Sequence, residues 1–143
     1  FQFFEKTYGP AHPHTVEARD ALADERLFSR FLNGLMDELE KVYALQLSQR
    51  ENRVLREQVF AASLEKFQDL KGDLKTRQFV HFGSIPVNNA YLMIVALYHR
   101  HFELFEAVLG ENDGSIKKTL LFLEGFSQKE GDLIEQLRNL VGD

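Results

Sequence analysis

Cysteine and tryptophan are absent from this sequence of 143 residues, and only three residues are proline. Without cysteine the chain forms no disulfide bond and has no thiolate chemistry, although this leaves the compartment open. No apolar run approaches the ~18 residues of a membrane-spanning helix, and no signal peptide is recognisable. No basic stripe stands out, and the net charge of −5 argues against nucleic acid as a partner.

The abundant residues predict a folded domain. Apolar residues make up 44% of the chain and include 13 phenylalanines, which argues against disorder. The length fits one domain, by the usual ~100–200 residues per domain. We therefore predict a single helical domain over residues 1–143.

A long helical hairpin is predicted over residues 15–72. Apolar residues recur at spacings of three and four between residues 15 and 47, as on one face of a helix. Ser48 and Glu51 form a capping-box pattern, which starts a second helix. Because the joint between the two helices is short, we expect them to lie antiparallel.

C-terminal helices are predicted over residues 88–141. The first covers about 89–109 and is apolar on most sides in its first half, which is typical of the central helix of a bundle. A shorter helix covers about 115–125, and a capping-box pattern at Ser127 and Glu130 opens the last one. The predicted fold class is all-α, a bundle of about five helices with one long helical hairpin.

Residues 1–9 look like the tail of a helix that began upstream, so we expect the chain to be excised from a longer polypeptide. Gly9 suits the position that follows a helix end. The stretch has too many aromatic residues for a free terminus. We expect them to pack on this domain, on the missing part or on a second copy in a homodimer, since exposed apolar patches attract partners: Phe1, Phe3, Phe4 and Tyr8.

Two pairs of histidines raise the question of a metal site. His12 and His14 in a loop can share a metal if a third ligand lies elsewhere, but a polar loop at a helix start is the favoured interpretation. His99 and His101 are two positions apart on a predicted helix, so their side chains point in different directions. Neither pair predicts a metal centre.

The acidic residues also have a structural interpretation. Glu103 and Glu106 share a helix face with His99, as in di-metal bundles, but no second helix supplies a matching pair, so a solvated face is favoured. Four acids crowd the first turns of the long helix, where the helix dipole favours negative charge: Glu17, Asp20, Asp24 and Glu25. We therefore predict no metal ligand and no cofactor in this chain.

Two adjacent asparagines open the 89–109 helix, and a tyrosine lies within it. An asparagine at a helix N-cap is ordinary, because its side-chain oxygen accepts a backbone N–H. That explains Asn88 or Asn89 but not both. Asn88, Asn89 and Tyr98 are thus the candidates for a functional role, beside a purely structural one.

The stretch NNAYLMIVALY at residues 88–98 resembles the (L)NNAxLxxxxxY signature near the C-terminus of a family of predicted bacterial aminopeptidases. Members of that family are zinc peptidases of the HExxH type. The resemblance is best from about Ala21 to Asp143. This sequence departs from the signature at Val87, where the family has leucine, and at Tyr91, where it has a small or basic residue.

The resemblance implies that the chain is the C-terminal helical portion of a zinc-dependent aminopeptidase. The sequence contains no HExxH, so the metal site is expected upstream of Phe1, and zinc only in the full-length protein. Glu5 does not match the context of the family's third ligand and is not assigned that role. The implied partners are the upstream catalytic segment and a peptide substrate. The implied source is bacterial, and the compartment, cytoplasm or cell envelope, is left open.

The residues of the motif then receive roles in shaping the substrate cleft. Tyr98 is the candidate for an oxyanion or substrate contact, and Asn88 and Asn89 are candidates for substrate binding. The chain alone is expected to be inactive. The alternative hypothesis is a non-catalytic helical interaction or scaffold domain, in which the phenylalanine-rich faces form a core or a partner groove.

Overall fold

A computed structural model of the chain describes residues 1–128 and 130–142. These residues form helices and connections without any strand, which confirms the all-α class and the long helix pair. The contacts group the chain into two compact units, Phe1–Arg100 and His101–Asp143. The prediction of a single domain stays a prediction.

The first three helices of unit 1 are α1 (Gln2–Tyr8), α2 (Pro13–Ala44) and α3 (Gln49–Leu70), and a 3-10 turn follows at Lys71–Asp73. The first ends at Gly9, whose φ of 88° is a left-handed conformation that favours glycine. The second starts two residues earlier than expected, because Pro13 suits a first helical position. The third begins at the predicted capping box, with both of its hydrogen bonds present.

The core of unit 1 lies between the hairpin, the following connection and the helix α4 (Asn89–His99). The connection has an irregular backbone but is not a surface loop, since two of its residues, Phe79 and Phe82, are buried in the core. Phe79 stacks on Phe28 with ring centroids 4.1 Å apart. The buried apolar residues that share this core are Phe28, Leu32, Leu35, Leu39, Phe60, Phe67, Phe79, Phe82, Val87 and Leu92.

The predicted helix over 89–109 is wrong as a single element. It is divided into α4 and α5 (Phe102–Glu111), with turn residues Arg100 and His101 between them. Arg100 forms an ion pair with Glu40 of α2 at 2.6 Å, which fixes the end of α4 against α2. Leu104 of α5 is buried in a different core. The two halves therefore bury their apolar residues in separate clusters.

Unit 2 contains α5, α6 (Ile116–Phe126) and α7 (Leu133–Val141). The predicted capping box at Ser127 and Glu130 is wrong as a helix start. Ser127 follows the end of α6 and its hydroxyl donates to the carbonyl of Glu124, whereas Asp132 caps α7. Lys129, within the predicted box, and Asp143, at the end of the expected resemblance, lie outside the described residues. The buried apolar core of this unit comprises Leu104, Val108, Phe126 and Leu137.

Two expectations about burial also need correction. The first is that α4 is central to a bundle: Leu92 is its only buried residue, and four large apolar side chains are exposed on it. The second is that the N-terminal aromatics pack on this domain: Phe4 is half-buried, but Phe3 is 69% exposed, and Phe1 and Tyr8 are exposed as well. Their packing on a missing part or a second copy, and hence a homodimer, stays a prediction. Among the described residues, no helix has the length and hydropathy required to cross a membrane.

Candidate functional site

Asn88 is the N-cap of α4. Its backbone is extended, with φ −142°, and its side-chain Oδ1 accepts the backbone N–H of Tyr91 at 3.0 Å. This is the arrangement expected of an asparagine cap, which satisfies one otherwise unpaired N–H of the first turn. The side chain is exposed, so the same amide also remains accessible to a ligand.

Asn89 has a different role. Its Oδ1 accepts a hydrogen bond from the hydroxyl of Tyr43 at 2.9 Å, and Tyr43 lies near the C-terminal end of α2. The amide group thus connects the start of α4 to the hairpin. The second asparagine, which the cap leaves unexplained, therefore has a tertiary partner, and its NH2 group is still available as a donor.

Tyr98 lies on the exposed face of α4 and is 73% exposed. Its hydroxyl makes no hydrogen bond within the described part of the chain. Nine helical positions separate it from Asn89, which places the two about 14 Å apart along the axis and on opposite sides of the helix. They cannot converge on one atom of a small ligand. The exposed apolar residues that share α4 with Tyr98 are Met93, Ile94 and Leu97.

The last residue of α4 belongs to a polar cluster that the sequence pattern did not reveal. Nδ1 of His99 lies 2.5 Å from Oε1 of Glu25 on α2, and Gln78 donates to the other carboxylate oxygen at 3.0 Å. The rings of Phe28 and Phe79 contact the imidazole edge to face. Glu25 was expected to serve only the helix start, but it holds α4 against the hairpin.

Asp24 also departs from its predicted role as a helix-start acid. It is fully buried, and its carboxylate accepts the backbone N–H groups of Lys75 and Thr76 and the hydroxyl of Thr76, at 2.6 to 2.9 Å. A buried carboxylate is tolerated when several donors surround it. Asp24 therefore fixes the start of the connection that leads to Phe79 and α4.

The histidines are not arranged for a metal. Nδ1 of His12 accepts the backbone N–H of His14 at 3.3 Å as the cap of α2, and the ring of His12 stacks on Tyr8. The predicted shared face of His99, Glu103 and Glu106 is interrupted by the break between α4 and α5. No cluster of three or more candidate ligand residues occurs in residues 1–128 and 130–142. The expected absence of a metal stays a prediction.

An open groove of about 740 Å³ lies at the joint of the helical hairpin. We call it the arginine groove, because three arginines of α3 line it together with Tyr43, whose hydroxyl bonds Asn89. A cluster of guanidinium groups is suited to carboxylates and other oxyanions. The sequence shows the arginines at intervals of three, which is the signal that could have found it. The residues of the arginine groove are Tyr43, Leu47, Gln49, Arg50, Asn52, Arg53 and Arg56.

Comparison with known proteins places the chain in one sequence family. A family model described as Putative aminopeptidase matches residues 1–131. The match starts at Phe1, well before the expected Ala21, and stops before α7. No curated protein and no solved structure matches the chain.

Proposed function

The chain belongs to this aminopeptidase family, and we propose that it is the C-terminal helical portion of a zinc-dependent aminopeptidase. In this proposal unit 1 helps to shape the substrate cleft. The HExxH segment, which the sequence lacks, is supplied by residues outside it.

The exposure of the motif residues on α4 is the observation that carries this proposal. Asn88, Asn89 and Tyr98 are all accessible, although the helix that bears them is almost entirely apolar. A residue that serves only a core would be buried with its polar atoms paired. Leu97, beside Tyr98, is 77% exposed, and large exposed apolar surfaces often mark interaction sites.

Each motif residue has a chemical role in the proposal. The hydroxyl of Tyr98 donates to a substrate carbonyl, or to the oxyanion that develops from it, since donors placed at such an oxygen accelerate acyl transfer. The free NH2 groups of Asn88 and Asn89 hold the peptide backbone. Because Tyr98 and Asn89 lie on opposite sides of α4, they contact different parts of the substrate.

The described residues contain no cluster of three or more candidate metal ligands. The proposal therefore assigns zinc and its ligands to the HExxH segment. The residues of this chain bind and orient the substrate, and the chain alone is inactive.

An assay of two polypeptides tests the proposal. The chain of 143 residues and a longer product of the same reading frame are compared on an aminoacyl p-nitroanilide, with and without zinc. We expect the longer product to contain HExxH and to release p-nitroaniline only with zinc, and the chain alone to release none. A reading frame without HExxH, or hydrolysis by the chain alone, would contradict the fragment assignment. An HExxH-containing product that is inactive with zinc would favour the scaffold hypothesis.

A further inference from the structure

We propose that the arginine groove binds the C-terminal carboxylate of a short peptide. This inference rests on the proposed function and gives it a substrate class: peptides of a few residues with a free C-terminus. It concerns a surface of the hairpin that the aminopeptidase motif at residues 88–98 does not include.

The charge of the groove is largely uncompensated. Arg56 forms an ion pair with Glu57 at 2.7 Å. The carboxylate of Glu51 is occupied by the N–H and hydroxyl of Ser48. Arg50 and Arg53 have no acidic partner within the described part of the chain. In a protein of net charge −5, two unpaired guanidinium groups in one groove form a local positive site.

The spacing of the arginines gives the groove a direction. Arg50, Arg53 and Arg56 follow one another at intervals of three on α3, so each one neighbours the next on the helix surface. The first and last are about 9 Å apart along the axis. Arg50 lies in the first turn of α3, where the helix dipole adds to the positive potential.

Tyr43 connects the groove to the aminopeptidase motif, because it lines the groove and its hydroxyl donates to Asn89. The three arginines span about 9 Å along α3, which corresponds to about three residues of an extended peptide, at ~3.3 Å each. A peptide of a few residues would thus match the length of the groove. Longer peptides would have to leave the groove.

The lining of the groove favours a peptide over a simple oxyanion. Beside the arginines it contains the amide side chains of Gln49 and Asn52, and Leu47 adds an apolar surface for a side chain. A peptide offers a carboxylate, amide groups and side chains, whereas inorganic phosphate offers charged oxygens alone.

Binding to the chain of 143 residues tests the inference without any catalysis. Trialanine, trialanine amide and inorganic phosphate are titrated separately, and binding is followed by NMR. We expect trialanine to bind about ten-fold more tightly than its amide, because a hydrogen bond to a charged group is stronger than a neutral one. The double variant Arg50→Gln/Arg53→Gln should remove this preference. Arg77→Gln is the matched control, since Arg77 is exposed and lies outside the groove, and it should retain the preference.

Three results would overturn the inference: equal affinities for the acid and the amide, an unchanged preference in the double variant, or phosphate binding as tight as that of trialanine. The last result would identify a phosphate site. Failure here is distinguishable from failure of the proposed function, because p-nitroanilides have no terminal carboxylate. Their zinc-dependent hydrolysis by the longer product tests only the proposed function, whereas the titrations test only the carboxylate site.

Discussion

The hydroxyl of Tyr43 donates a hydrogen bond to Oδ1 of Asn89 across 46 positions of sequence, at 2.9 Å. This contact connects the hairpin to the start of α4 and connects the arginine groove to the aminopeptidase motif. It gives Asn89 a structural role beside any role in binding, so the two roles have to be separated by experiment.

A double-mutant cycle on Tyr43→Phe and Asn89→Ala measures this contact. We expect a coupling of about 0.5–1 kcal/mol in the free energy of unfolding, because the hydrogen bond is exposed. Urea denaturation of the four proteins gives the value. Tyr98→Phe serves as the control, since its hydroxyl has no partner among the described residues, and it should change stability little. Additive effects of Tyr43→Phe and Asn89→Ala would mean that the contact contributes nothing.

Asn88→Ala should destabilise the chain by about 1 kcal/mol, because the N–H of Tyr91 loses its cap. Asn88→Asp should keep most of the stability, since aspartate caps equally well. Thermal unfolding followed by circular dichroism distinguishes the variants. Equal losses in both would show that the amide NH2, and not the capping oxygen, is what matters.

Asp24→Ala should cost about 3 kcal/mol, because two backbone N–H groups and a hydroxyl lose a buried acceptor. Asp24→Asn should cost less, since its amide retains one acceptor oxygen. Asp20→Asn is the control: Asp20 only pairs with the exposed Lys75, and such pairs contribute little. Chemical denaturation provides the comparison. Similar losses of unfolding free energy in Asp24→Ala and Asp20→Asn would contradict a stabilising role for the hydrogen bonds of Asp24.

The capping box of α3 should depend on pH. Hydrogen bonds from the hydroxyl and backbone N–H of Ser48 lower the pKa of Glu51 from its ordinary value of 4.5. A carboxylate with a lowered pKa stabilises the fold above its unfolded-state pKa, and this stabilisation is lost as pH falls through the folded-state pKa. The stability difference between the unmodified chain and Glu51→Ala should be present at neutral pH and disappear well below 4.5. Denaturation midpoints over a pH series measure it, and a difference that persists in acid would exclude the charge as its origin.

Tyr98→Phe tests catalysis in the longer, HExxH-containing product. If the hydroxyl is an oxyanion donor, kcat/KM should fall by about 10²–10³-fold, while the free energy of unfolding stays unchanged. Tyr8→Phe is a matched control, because Tyr8 is an exposed tyrosine outside the motif. A lower kcat/KM that comes entirely from a higher KM would assign Tyr98 to substrate binding. Unchanged kinetics would remove Tyr98 from the site.

The features that were predicted correctly have local signals. The apolar periodicity of residues 15–47 defines one face of α2, and Ser48 and Glu51 start α3 within four residues of each other. Asn88 caps the residue three positions later. Such patterns depend on backbone groups that are close in sequence, so they can be recognised without knowing what the helix packs against.

The misassigned features depend on distant partners. The break at Arg100 and His101 has no proline or glycine to announce it. It coincides with a change of core, and with an ion pair to Glu40 that lies sixty positions away. Ser127 and Glu130 have capping-box spacing, but the hydroxyl of Ser127 bonds the end of α6 instead.

The sequence by itself determined the helical class, the hairpin and the family, because periodicity, caps and a short motif all involve residues that are close together in the sequence. Only the tertiary structure decided what Asp24, Glu25 and Asn89 contact. Glu25 meets His99 across 74 positions, and Asn89 meets Tyr43 across 46. An acidic or amide side chain on a helix can face solvent or a partner without any change in the local backbone conformation. Its role is therefore fixed by which distant segment packs beside it, and the local pattern does not contain that choice.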